Sequence, residues 1–443
     1  MNLLGGTGME KLLTQAQALK QEIIARRRDL HKHPESAWTE FRTASIVAQE
    51  LTQLGFEVLV GDQVIVASEM MGVPDALTLQ KCQERALKEG ADPKWVDKMQ
   101  GGKTGVMGVM KFSKPGKTVA IRVDMDANDV EESKDAQHQP NQEGFASIHA
   151  NVMHACGHDG HTAMGLAIAK LIAENKDLYA GTIKLIFQPG EEGVRGAKAM
   201  VASGIVDDVD YLFGMHVGFN ANRNDTIVCM TDGFLATTKL DARFKGLSSH
   251  AGSAPHEGKN ALLAAAQASI SMHSIARHGQ GASRINVGVL QAGTGRNVLP
   301  DVAVVKLETR GANTEINEYM MVEAKRMIQA AAMMYDVEVE VEEMGGAPSC
   351  SLDREMGEEI QKILLASGYF APEGVIKEVS LGASEDCSYF MQRVQEKGGK
   401  AVYMMAGSEL KAGHHNSKFD FNEETLVRGA ASLALLAEKY TNR

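Results

Sequence analysis

"KTVAIRVDMDA" (residues 117–127), "GTIKLIFQPGEEG" (181–193) and "YLFGMHVG" (211–218) decide the fold of this chain. The first reads as a buried strand ending in acids. The second repeats the design, a β-rich run followed by Pro-Gly and paired glutamates, and the third ends in His216. Helical patterns lie between them. Alternation of this kind predicts an α/β fold with a mixed, mostly parallel sheet flanked by helices. Open sheets of that class take their ligands at the carboxyl ends of the strands. Asp124, Asp126, Glu191, Glu192 and His216 all fall there.

Towards the N-terminus, residues 9–28 read as one amphipathic helix and "TASIVAQELTQLGF" (43–56) as a second, closed by Gly55. Residues 61–103 are helical and charged, without strand character, and read as an insertion. Near residue 235 the texture changes. "ATTKLDARFKG", a helix from "GKNALLAAAQASISMHSIA", "RINVGVLQAG", "VAVVKLETRG", a helix at 314–335 and "VEVEVEEM" give the order β-α-β-β-α-β. That order predicts an antiparallel unit of ferredoxin-like type. "GGAPS" (345–349) reads as the linker back to the first sheet, which "AVYMMAG" and a last helix near 422–439 complete. The expectation is a discontinuous main domain, 1–234 and 346–443, with 235–345 inserted in it.

A chain of 443 residues exceeds one typical core. A net charge of −11 argues against nucleic acid or an anionic membrane surface as partner. The five cysteines, Cys82, Cys156, Cys229, Cys350 and Cys387, are odd in number and scattered, with no CxxC pair. They fit a reducing compartment better than a disulfide framework. With no leader read in "MNLLGGTGMEKLL" and no long apolar span, a cytoplasmic protein is expected.

"NVMHACGHDGHTAMG" (151–165) then raises a choice. Cys156, His158 and His161 form a polar turn before a helix, a cysteine nucleophile with its base, or a metal site. The nucleophile reading needs a base and an oxyanion donor, and it leaves the acids and His216 at the strand ends without a task. A metal reading uses them all, since thiolate, imidazole and carboxylate together suit Zn²⁺ or a similar ion. Of the pair Glu191–Glu192, one carboxylate can bind metal while the other takes a proton from the attacking water. "AGHHNSKFDF" adds His414 and His415, of which one suffices as ligand. His250 in "GLSSHAGSAPHEGKNAL", Asn297 in "GTGRNVLP" and Arg310 in "KLETRG" read equally well as loop or surface residues.

Nine stretches, in order, resemble the M20 family of metallopeptidases and amidohydrolases: "RRDLHKHPESAWTEFRT", "RVDMDA", "MHACGHDGHT", "QPGEEG", "SHAGSAPHEGKNAL", "GRNVLP", "ETRG", "SEDCSYF" and "HHNSKFDF". "HACGHD" is similar to the aminoacylase and hippurate hydrolase branch. The 61–103 insertion looks most similar to its p-aminobenzoyl-glutamate-hydrolysing members.

The resemblance implies a metal-dependent amidohydrolase cleaving the amide bond of a small N-acyl amino acid, p-aminobenzoyl-glutamate above all, with a hippurate-type amidohydrolase or a dipeptidase of the same family as the alternative. It implies two divalent ions per subunit, Mn or Zn with Co or Ni as alternatives, held by Cys156, His158, Glu192, His216 and His415. Cys156 would bridge them, with Glu192 and His415 completing one ion and His158 and His216 the other. Glu191 would be the general base, and Asp126 the acid that orients a ligand. The inserted domain would be a lid that dimerises, with His250 reaching the partner's site to stabilise the oxyanion. Asn297 and Arg310 would grip the substrate carboxylate, which a guanidinium fork pairs in bidentate fashion. A homodimer is expected, with a heterodimer of homologous subunits as the alternative. A catalytically inactive binding protein is the alternative of a different class. Two departures from the family pattern concern pocket shape: "DMDAND" lacks the Leu-Pro common after that Asp-Met-Asp-Ala, and Gly190 stands where Ala is common. His414 has no assigned role.

Overall fold

A computed structural model describes residues 6–443. In chain order its strands are β1 (Glu57–Val60), β2 (Val106–Lys111), β3 (Thr118–Asp124), β4 (Thr182–Gln188), β5 (Tyr211–Val217), β6 (Ile227–Asp232), β7 (Ala236–Lys245), β8 (Ser283–Ala292), β9 (Val302–Gly311), β10 (Glu338–Ala347), β11 (Val375–Ser380) and β12 (Lys400–Ala406). They form an eight-stranded sheet, β1-β2-β4-β3-β5-β12-β6-β11, and a four-stranded sheet, β10-β7-β9-β8. The chain divides accordingly into two compact units. One holds residues up to Asp232 with Cys350–Leu381 and Asp386–Arg443; the other holds Gly233–Ser349 with Gly382–Glu385.

In the first unit β4, β3, β5 and β12 run parallel to one another, and β6 pairs in parallel with β11. The pairings β1–β2, β2–β4 and β12–β6 are antiparallel, so the sheet is mixed and mostly parallel. β3, β4, β5 and β12 are almost wholly buried, as expected of strands covered on both faces. The helix His158–Glu174 is buried along nearly its whole length. It rests so closely on the sheet that a Cβ at Gly165 would stand 2.7 Å from the Phe187 ring. A helix apolar on every side belongs inside a core, and its first turn therefore holds its polar residues at a fixed depth.

One ion cluster pins that first turn. Arg27, fully buried, donates from Nε to Asp159 (2.8 Å), from Nη2 to Asp420 (2.7 Å) and from Nη1 to Glu423 (3.1 Å). Asp159 also pairs with His31 Nδ1 at 2.8 Å, and His31 Nε2 with Glu132 at 3.0 Å. Burial opposes a charge on His31, yet the bonds to Asp159 and Glu132 outweigh it and push the imidazole up to about 9.

Several local expectations need correction. Residues 9–28 do not form one helix: Gly6–Ala18 and Lys20–Lys32 are separate, broken at Leu19. "GGAPS" is not simply a linker, because β10 continues to Ala347. A bulge between Glu343 and Gly345 shifts its register, after which Gly345, Gly346 and Ala347 pair with Lys239, Thr238 and Thr237. The 61–103 stretch contains Ala76–Lys88, Pro93–Val96 and three short 3₁₀ turns, with no strand.

In the second unit all strand pairings are antiparallel, and the order β10-β7-β9-β8 is that of a ferredoxin-like sheet. Leu240, Phe244, Val305 and Leu307 pack under the helices Ala261–His273 and Thr314–Met334 to make its core. β8 is an edge strand that exposes Val289 and Leu290. No helix among the described residues is long and apolar enough to cross a membrane.

Candidate metal centre

Chain segments ending β3, β4, β5 and β12 bring their polar residues to one end of the first sheet. Asp126 follows β3, the glutamates follow β4, His216 is near the end of β5, and the loop after β12 carries His414 and His415. Cys156 and His158 come from the turn that opens the buried helix.

The glutamate turn is built backbone first. Gly190 sits at φ +61°, in the left-handed region that glycine adopts without the cost a Cβ would add. Glu40 accepts the Gly190 N–H at 2.8 Å. Asp126 then accepts both glutamate amides, Glu191 N–H on Oδ1 (3.0 Å) and Glu192 N–H on Oδ2 (2.8 Å). One carboxylate thus fixes the two adjacent side chains. Asp126 acts on His158 as well, whose Nδ1 lies 2.9 Å from the Asp126 carbonyl oxygen and 3.3 Å from Oδ1.

The partners of each ring nitrogen sort the histidines by tautomer. His158 Nδ1 donates to the Asp126 carbonyl and His216 Nδ1 to the Val217 carbonyl (2.8 Å), leaving both Nε2 lone pairs for a cation. Metal-binding imidazoles characteristically make this second bond. His161 is the opposite case. Its Nδ1 bonds Asp124 at 2.6 Å and its Nε2 accepts the Val217 N–H at 2.9 Å, so both nitrogens are used. It lies beside His158 and His216 but has no lone pair to offer. His154 is buried with its ring centroid 6.3 Å from that of His31, and burial draws it down to about 3.

Cys156 Sγ lies 3.5 Å from His216 Nε2 and 3.6 Å from His414 Nδ1. Donor atoms of Cys156, Glu192 and His415 fall within 4.8 Å of one another, as do those of His158, Glu191 and Glu192. Cys156 and Glu192 therefore face one space. His415 Nε2 is 3.4 Å from Glu192 Oε1, and His158 Nε2 is 3.9 Å from both Glu191 Oε2 and Glu192 Oε1. His415 has φ +64°, a strained value for a non-glycine residue, held by its N–H bond to the Ala155 carbonyl at 2.8 Å.

Two buried atoms test whether this set fits a metal. His158 Nε2 and Glu192 Oε1 are buried and lie 3.9 Å apart without a well-formed hydrogen bond, the nearest other group to Glu192 Oε1 being His415 Nε2 at 3.4 Å. An apolar site would not leave a lone pair and a carboxylate oxygen orphaned together, because each is costly without a partner. A divalent cation would serve as partner to both. Burial opposes ionisation of Glu192, but His415 and His158 hold its carboxyl down at about 2. Burial, and then Glu192, push the Cys156 thiol well above its usual range, so a free thiolate nucleophile is disfavoured. The donor set fits cations better than thiol chemistry.

His250, Asn297 and Arg310 all lie in the second unit. His250 is exposed, its Nδ1 accepting the N–H groups of Gly252 and Ser253, and a short antiparallel bridge to Val298 brings its loop beside Asn297. Arg310, on β9, directs Nε and Nη2 at Glu308 (2.9 and 3.3 Å). Sequence reasoning passes over Glu40 and the pairing of Asp124 with His161. Glu40 stands in the "HPESAWTEF" stretch, where an acid before a helix gives no sign of the distant turn it supports.

The comparisons give the class: this mixed α/β chain is a hydrolase. The chain belongs to Peptidase family M20/M25/M40, which residues 120–439 match. It is 47% identical over 430 residues to one of the subunits of p-aminobenzoyl-glutamate hydrolase from Escherichia coli, covering 97% of this chain and 98% of that one. It is 48% identical over 420 residues to indole-3-acetyl-aspartic acid hydrolase of Enterobacter agglomerans, covering 95% and 96%. Among solved structures, the aminobenzoyl-glutamate utilization protein of Klebsiella pneumoniae is similar with a TM-score of 0.82 and 39% identity, covering 96% of this chain and 97% of that one.

Proposed function

We propose that this chain hydrolyses the amide bond of an N-acyl amino acid, with p-aminobenzoyl-glutamate, split into p-aminobenzoate and glutamate, as the favoured substrate. The two sequence relatives are named for an aromatic acyl group joined to an acidic amino acid, which supports that class. The observation that carries the reading is the convergence of Cys156, His158, Glu192 and His415 donor atoms on one buried space, where His158 Nε2 and Glu192 Oε1 lack well-formed hydrogen bonds. Cys156, His158, Glu192, His216 and His415 would hold two divalent ions, Mn or Zn. Bound there, the ions would acidify water and polarise the substrate carbonyl.

The protein's own groups handle the proton and the substrate. Glu191 takes a proton from the attacking water and returns it to the leaving nitrogen. Asp126 positions Glu191, Glu192 and His158 at once, which makes it a positioning residue. His250, supplied by a partner protomer, steadies the oxyanion. Asn297 and Arg310 bind the substrate carboxylate, for which Arg310 shares its fork with Glu308. The unpaired edge of β8 suits a dimer built by the 235–345 domain, either with itself or with a homologous second chain. A reducing cytoplasm suits a thiolate kept free for metal.

Purified protein loaded with Mn²⁺ is expected to release glutamate from p-aminobenzoyl-glutamate, to lose that activity to a chelator and to regain it on adding metal. Indole-3-acetyl-aspartate is the second reading, favoured by the comparable identity to the Enterobacter relative. The larger kcat/KM decides between the two substrates. Chelator-resistant turnover, or none on either substrate, overturns the proposal.

A further inference from the structure

His414 sits beside the proposed ligand His415, its ring placed between the Cys156 sulfur and the Phe219 backbone. Its Nε2 accepts the Phe219 N–H at 3.0 Å, while its Nδ1 lies 3.6 Å from Cys156 Sγ. A lone pair engaged by a backbone N–H cannot also carry a proton, so a neutral ring must hold its proton on Nδ1. That proton lies on the sulfur side. For Nδ1 to bind metal instead, the proton would have to move to Nε2, which would set two N–H groups against each other at Phe219.

The ring is also held in place. It stacks on Phe219 with centroids 4.2 Å apart and planes at 16°, and meets Phe419 at 4.9 Å. A Cβ at Gly218 would stand 3.2 Å from His414 Nε2, so the backbone approaches the ring edge closely because residue 218 has no side chain. This resembles the arrangement at His161, where a backbone N–H takes Nε2 and Nδ1 faces an acceptor. The acceptor at His414 is sulfur rather than carboxylate.

We infer that His414 is a positioning residue which donates an N–H···S hydrogen bond to Cys156, and that it is not a metal ligand. The inference rests on the proposed metal centre only for its consequences. The bond withdraws electron density from one sulfur lone pair and fixes the direction of the others. A sulfur shared by two cations needs two lone pairs aimed at separate positions. The doubled histidine then divides its work: His415 faces Glu192 as ligand, and His414 orients the thiolate.

The tautomer is tested first on the wild-type chain without metal. Long-range ¹H–¹⁵N spectra of ¹⁵N-histidine-labelled protein, with His414→Asn supplying the assignment, are expected to show His414 protonated on Nδ1. A proton on Nε2 overturns the inference whether or not the chain binds metal. The second test uses Co²⁺, whose bond to thiolate gives a charge-transfer band. His414→Phe keeps the aromatic ring but removes the donor. It is expected to keep the wild-type number of bound ions, to weaken Co²⁺ binding about 10–100-fold and to move the band to longer wavelength as the sulfur lone pairs rise in energy. His414→Asn, whose amide nitrogen stands near the position of Nδ1, is expected to restore the band and most of the affinity. Loss of one bound ion in His414→Phe would make His414 a ligand, and an unmoved band would mean that no such bond exists. A wild-type chain that takes up no Co²⁺ would refute the metal centre itself, leaving the tautomer result to stand or fall alone.

Discussion

Glu191→Gln is expected to lower turnover of p-aminobenzoyl-glutamate by on the order of 10²–10⁴-fold while leaving the bound metal in place. The substitution is close to isosteric, so the turn survives. Asp126 accepts the residue 191 amide, not its side chain, and still holds the neighbouring Glu192. Only the ability to take up a proton is removed. Glu191 Oε2 lies 3.9 Å from His158 Nε2, facing the same space as the proposed ligands, where such a proton would be collected. Measuring kcat and metal content on the same sample separates this role from ligation. A variant that loses metal together with activity would make Glu191 a ligand, and near-wild-type turnover in metal-replete protein would remove it from the mechanism.

The second large effect is on stability. Arg27→Met removes the guanidinium shared by Asp159, Asp420 and Glu423; His31 still pairs with Asp159 and Arg28 with Glu423, so the buried Asp420 is the carboxylate left without a cation. Removing one member of a buried ion cluster commonly costs about 3–5 kcal/mol, because the remaining charges stay desolvated and unpaired. Urea unfolding followed by circular dichroism is expected to show a loss of that size, with far smaller losses from breaking exposed pairs such as Lys377–Glu358. The cluster ties the helix Lys20–Lys32 to the first turn of the helix His158–Glu174 and to the loop that follows β12. It therefore holds two of the segments that deliver proposed ligands. An unfolding midpoint unchanged in Arg27→Met would show that the cluster is neutral to stability.

The central strands are legible in the sequence because burial on both faces writes itself as apolar runs, and the acids and His216 at their carboxyl ends mark the proposed site. β1, β2, β6 and β11 do not read as strands. β1 has four residues, and β11 lies at the sheet edge with a half-exposed pattern. β2, "VMGVMK", is rich in Met and Gly, which carry little strand preference. The continuation of β10 through "GGAPS" is hidden for a related reason: linker composition is overridden by pairing with β7, a contact distant in sequence.

At the site, the residue types are readable but the division among histidines is not. What separates His158 and His216 from His161 and His414 is whether a ring nitrogen meets a backbone carbonyl or a backbone N–H. Those groups belong to Asp126, Val217 and Phe219, which only the folded sheet brings alongside. Spacing along the chain carries no trace of them. The same holds for Asp126, whose two amide bonds to the glutamate turn cross 65 and 66 residues of sequence.

Anomalous diffraction from crystals soaked in Mn²⁺ tests the bimetallic centre most directly. Two peaks are expected, one within reach of Cys156, Glu192 and His415 and one within reach of Cys156, His158 and His216. Absence of density there, or a peak coordinated by His161 or His414 in place of these side chains, would contradict the account.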